Sequence, residues 1–203
     1  MRRALLAAAL LALAVPAAQA TRATLQASRP GAPPLVLQAE ASEHSWIIRV
    51  IEAGLEVQRI EVETDLPGTR PELGDANGDG AADLWIPVIG DNANSAWDLW
   101  IMQPGESRFR RAGEINGMAF SRDRQGRLAA LSREGCCLVS MTFHRIGPEG
   151  TLREAFAVNR RLDVAGPLRC TGGSITEPAP AAVVREVCAL EPGRMPGVRI
   201  GPR

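Results

Sequence analysis

The chain has 203 residues, with 23 basic residues against 23 acidic ones and a formal net charge of zero. That balance excludes the strong positive field by which a protein holds nucleic acid or an anionic membrane surface through charge alone. Lysine and tyrosine are absent while Ala, Arg, Gly and Pro are abundant, so an arginine-rich stretch such as Arg108, Arg110 and Arg111 carries less functional information than usual.

Residues 1–20 read as a secretory signal peptide: Arg2 and Arg3 at the start, an apolar run from Ala4 to Val15, and Ala18-Gln19-Ala20 as a small-x-small cleavage site. The apolar run is short for a membrane span and no later segment is longer, so a periplasmic or secreted protein without a membrane anchor is expected. Cleavage near Ala20 leaves roughly 180 residues, enough for one domain with a sizeable core. The expected divisions are a polar, proline-bearing N-terminal extension over 21–34, a β domain over 35–163, and a Gly/Pro-rich, disulfide-tied region over 164–203.

Short alternating runs begin at Leu35 to Glu40 and continue at Ser45 to Glu52 and Leu55 to Glu63, the last two joined by a hairpin connection at Ala53-Gly54. Thr64 to Leu73, with two prolines and a glycine, reads as a loop. It leads into Asp75-Ala-Asn-Gly-Asp-Gly-Ala-Ala-Asp83, which places Asp75, Asn77, Asp79 and Asp83 at loop positions 1, 3, 5 and 9. Gly80 at position 6 suits a sharp turn that brings in the carbonyl of Ala81 at position 7. This all-oxygen set, free of Cys and His, points to Ca²⁺ over zinc or copper. Position 12 is Ile86, so the bidentate glutamate of a helix–loop–helix sensor is missing, and the following Leu84 to Ile89 reads as a strand.

The polar connection Gly90 to Ser95 leads to a strand from Ala96 to Met102, with Trp97, Leu99 and Ile101 on one face and Trp100 on the other. Trp85 and Trp97 are expected in the core. Trp100, with Asp91, Asn92 and Asn94 of the polar connection, forms the expected partner-binding set. Further runs start at Arg108-Phe109-Arg110 and lie at Ile115 to Ser121, Arg127 to Ser132, Cys137 to Ile146 and Thr151 to Asn159, with a last strand expected from Ala182 to Leu190 and a loose tail from Glu191. The pattern predicts an all-β antiparallel meander: a sandwich, barrel or propeller-like stack. Four cysteines in an oxidising compartment suggest two disulfides. Adjacent cysteines rarely bridge, which leaves the two connectivities that tie Cys136-Cys137 to both Cys170 and Cys188.

Catalytic motifs are missing: there is no nucleophile elbow, zinc-protease motif, phosphate loop or dinucleotide fingerprint, and His44 and His144 are isolated. A non-enzymatic binding protein is expected. The stretch from Gly74 to Leu84, the Asn92 and Asn94 loop, and Trp97-Asp-Leu-Trp-Ile-Met102 ending in Gln103-Pro-Gly105 and Phe109 resemble a family of exported bacterial proteins. Its best-known members are immunity proteins of bacterium-killing type IV secretion systems. The similarity covers about residues 57 to 160, and the loop alone is shared with FG-GAP-like calcium-loop β repeats. The resemblance implies a small β-propeller with an EF-hand-like calcium loop, with Asp75, Asn77, Asp79 and Asp83 matching the family's metal positions and Ala81 adding its carbonyl. It also implies a periplasmic role in binding and blocking a peptidoglycan-hydrolysing effector. For this chain, calcium is expected to fix the surface presented by the Gly90 to Ser95 loop. An envelope module that binds glycan or another surface component is the alternative.

Overall fold

The structure is a computed structural model that describes residues 21–91, 93–103, 105–162, 169–191 and 193–202. The expected signal peptide lies outside the described residues. The expectation of antiparallel β structure holds. The first sheet is a meander of β1 (Arg22–Arg29), β2 (Ala32–Ala41), β3 (Ser45–Glu52) and β4 (Leu55–Glu63). The second runs β5 (Glu72–Gly74), β6 (Asp83–Gly90), β7 (Ser95–Met102) and β8 (Phe109–Gly117). The third contains β9 (Ala119–Arg122), β10 (Leu128–Glu134), β11 (Leu138–Ile146), β12 (Leu152–Arg161), β13 (Cys170–Ser174) and β14 (Val198–Arg199). Its spatial order is β13-β12-β11-β10-β9-β14. One helix, α1 (Ala181–Ala189), completes the described elements.

The sheets stack in series. Leu84, Ile86, Met102 and Phe109 of the second sheet join Trp46, Ile48 and Leu37 of the first in one core. On the opposite face, Trp85, Trp97, Leu99 and Ile101 pack on Phe120, Leu128 and Ala130 of the third sheet. The far face of the third sheet, with Met141, Phe143 and Phe156, is closed by Val183 and Val187 of α1. The second sheet is thus the middle layer, and Asp83 through Pro87 of β6 are continuously buried because both faces are covered. Among the described residues no core cluster joins the first sheet to the third, and the stack is open.

Several local expectations are corrected. Residues 22–29 of the expected N-terminal extension form the edge strand of the first sheet, turned into β2 at Pro30-Gly31, where Gly31 takes φ +74°. The expected strand from Ile115 to Ser121 is cut in two at Met118, whose amide donates to the Leu131 carbonyl at 2.7 Å. Ala182 to Leu190 is helical, not extended. It starts after Pro180, a residue suited to the head of a helix, and buries Val183 and Val187, one helical turn apart. The tail is anchored as well: Val198 pairs with Arg122, and the Ile200 amide donates to the Phe120 carbonyl at 3.1 Å.

The disulfides also differ from expectation. Cys136 is bonded to Cys137 in the β10–β11 turn, and Cys170 to Cys188. The second bridge staples α1 to β13, with the two Cα atoms 5.7 Å apart. Cys170 lies at the free edge of the third sheet, on the far side of β12 from the Cys136-Cys137 turn, and its neighbour in space is the helix. Among the described residues, no helix is long and apolar enough to cross a membrane.

Candidate functional site

The segment from Asp75 to Ala82 joins β5 to β6 at the meeting point of all three sheets. Ala76 and Ala81, both fully buried, plug it into the second and first cores respectively. The Ala82 amide donates to the Ser28 carbonyl of β1 at 2.8 Å. From the third sheet, the Arg122 guanidinium donates to the Asp75 carbonyl at 2.9 Å and sits 3.2 Å from Asp75 Oδ1. Gly78 and Gly80 take φ of +83° and +85°, and an added Cβ on Gly78 would meet that guanidinium at 2.8 Å. Both positions favour glycine for conformation, and an added Cβ on Gly80 would also lie 3.1 Å from the Pro30 ring.

The polar side chains of this loop are turned inward onto its own backbone. Asp75 accepts from the amides of Gly78 at 2.6 Å and Gly80 at 3.2 Å. Asn77 accepts from the Asp79 amide at 3.1 Å and donates to Asp79 Oδ2 at 2.8 Å, while Asp79 Oδ1 accepts from the Ala81 amide at 2.8 Å. Asp83 differs from the rest. It is fully buried and accepts from two backbone amides, Ala76 at 2.7 Å and Met102 at 3.0 Å. Burial pushes its carboxyl up to about 7, against those two hydrogen bonds and with the help of the nearby Asp79 and Asp75 charges. No cation faces it among the described residues.

The donor set of Asp75, Asn77, Asp79, Asp83 and the Ala81 carbonyl fits a hard divalent cation in its chemistry. Its geometry here is that of a turn satisfied by its own amides. Among the described residues no three His, Cys, Asp or Glu side chains group closely enough to hold a metal ion.

The expected partner-binding residues are not brought together. Asn92 lies outside the described residues. Asp91 is exposed and caps its own turn, accepting from the Asn94 amide at 2.6 Å and the Ala93 amide at 2.7 Å, which holds its carboxyl below the usual range. Asn94 is a clasp: its Nδ2 donates to the Arg133 carbonyl at 3.0 Å and its Oδ1 accepts from the Arg133 amide at 2.9 Å, tying the β6–β7 loop to the end of β10. Trp100 is half-buried against the first core, its indole N–H donating to Asp98 Oδ2 at 2.9 Å. It lies toward the other end of β7, five residues from Ser95, or about 17 Å at strand rise.

The loop carrying Asp75 and the loop carrying Asp91 stand at opposite ends of β6, roughly 23 Å apart for seven residues of strand. The loop residues from Asp75 to Asp83 therefore do not shape the Gly90 to Ser95 surface directly. They lock the three sheets at the other end of the molecule, helped by the C-terminal tail. Gly74 and Gly201 lie so close that a Cβ on Gly74 would fall 2.8 Å from the Gly201 nitrogen, and a Cβ on Gly201 would strike the Trp85 ring at 2.9 Å. Sequence reasoning missed Arg122 and Gly201, which lie far along the chain from the loop they complete. Compared with known protein families, curated proteins and solved structures, the chain matches none.

Proposed function

We propose that this is an exported, calcium-stabilised binding protein that works by covering part of a partner polypeptide, and that the partner, on the resemblance alone, is a peptidoglycan-cleaving hydrolase. The observation that carries the calcium reading is Asp83, a fully buried carboxylate with acidic neighbours and no cation facing it among the described residues. Ca²⁺ held by Asp75, Asn77, Asp79, Asp83 and the Ala81 carbonyl would neutralise that concentration of negative charge at the junction of the sheets. A propeller-like reading of the domain is supported by consecutive antiparallel meanders stacked face to face. Inhibition would be steric: a rigid surface, here the clasped loop around Asp91 and Asn94, would lose little entropy on docking.

Thermal unfolding of the chain from Thr21 in EDTA, then with Ca²⁺ or Mg²⁺, tests the metal. A calcium-selective rise in midpoint supports it by linkage, and an unchanged midpoint removes it. The partner is tested with a panel of purified cell-wall hydrolases. Stoichiometric suppression of lysis supports the inhibitor, while binding to purified glycan strands without suppression favours an envelope module.

A further inference from the structure

Arginine lies directly opposite arginine twice in the described ladders: Arg145 against Arg153 on β11 and β12, and Arg49 against Arg59 on β3 and β4. Like charges in register repel, so each pair needs a counter-charge. The third sheet supplies its own. The segment after β13 folds back over β12, its Glu177 amide donating to the Ala155 carbonyl at 2.9 Å. From there the Glu177 carboxylate takes Arg145 through both oxygens, at 2.7 and 2.9 Å. That clamp holds the Glu177 carboxyl below its usual range.

Among the described residues, no carboxylate is bonded to either arginine of the pair in the first sheet. Its outer face carries an open hollow of about 460 Å³ lined by Arg22, Thr24, Gln38, Glu40, Arg49 and Arg59. Arg22 is bound to Glu40 at 2.7 Å. Arg49 donates only to the amide oxygen of Gln38, at 2.9 Å, and Arg59 has no side-chain partner among the described residues. We infer that the outer face of the first sheet docks an acidic polypeptide segment of a partner, one Glu or Asp carboxylate seating between Arg49 and Arg59 as Glu177 seats on Arg145.

Charge complementarity selects this occupant. Glu40 and Glu61 lie in the row beside the arginine pair, separated across the strands by Ile47. A polyanion lying across the face would meet those carboxylates, whereas a single carboxylate accepts two guanidinium groups in the fork geometry that suits them. Glu177 itself shows that a peptide-borne carboxylate reaches one member of such a pair, Arg145.

The test follows arginine Nε–Hε resonances of the whole chain from Thr21 during titration with acetyl-Gly-Glu-Gly-amide. The expected result is a saturable shift at Arg49 and Arg59, none at Arg145, and none with the glutamine analogue of the peptide. R59Q is expected to weaken the response at Arg49 at least tenfold, about 1.4 kcal/mol. E177Q is expected to create a second responsive site at Arg145 and Arg153. Equal shifts at all arginines, no saturation at Arg49 and Arg59, or a response to the glutamine analogue overturns the inference. Tighter binding of free glutarate or of a sulfated polysaccharide than of the glutamyl peptide also overturns it, by assigning the hollow to a small acid or a polyanion.

Discussion

Asp83 and His144 are both buried and titrate in opposite senses, which makes them separable by pH. Asp83 has a folded value of about 7 against an ordinary 3.8, so the folded state holds the extra proton between those values. Stability in EDTA therefore falls as pH rises from about 4 to 7 and stays low above it. D83N is expected to flatten that slope, to cost about 1–3 kcal/mol at pH 5 through a mismatched amide, and to abolish any calcium-dependent rise. Urea unfolding across pH with and without Ca²⁺ reads all three. His144 lies below its ordinary 6.5, first through burial and against the opposing pull of Glu154 3.8 Å away. Its unfolded form takes up the proton first, so the stability it confers is whole above pH 6.5 and lost as pH falls toward the folded value. The wild type is expected to lose more stability than H144Q between pH 7 and 5 in the same assay. The oxygen pattern of Asp75 to Asp83 was legible because it is local. The burial of Asp83 was not, because its second partner, Met102, comes from the neighbouring strand.

Element boundaries followed alternation wherever a strand had one wet face, as in β3 and β4, and the Ala53-Gly54 turn appears with positive φ at both residues. Reading failed where packing overrides local preference. In β13, Thr171-Gly172-Gly173 has no strand signal, yet α1 lies so close that a Cβ on Gly172 would fall 2.6 Å from Val184. Valine-rich α1 reads as a strand in the sequence because its nine residues span too few turns for the helical period to stand out. A helix so short depends on its tether. Replacing Cys170 and Cys188 by serine is expected to cost about 3 kcal/mol for a loop of this length. It is also expected to raise hydrogen exchange in α1 before any other described element. The clasp is testable in the same way: N94A is expected to speed exchange of the Arg133 amide while leaving β3 and β4 unchanged.

At the level of the whole molecule, the all-β class was legible and the tail was not. The tail's residues carry no pattern, and their place is set by the gap between Gly74, Arg122 and Trp85. Deleting residues 196–203 is expected to lower the thermal midpoint and red-shift tryptophan emission as Trp85 becomes wet, an outcome a loose tail would not produce. The serial stacking has a consequence for assembly. As the chain is delivered from its N-terminus, the first sheet offers an apolar face that only the second can cover, the second offers one for the third, and the third waits for α1. At each stage one sticky layer is left open, and the last is closed only when the helix at Ala181–Ala189 arrives. A product truncated before α1 would present Met141, Phe143 and Phe156 to its neighbours, and two such products could satisfy each other by stacking.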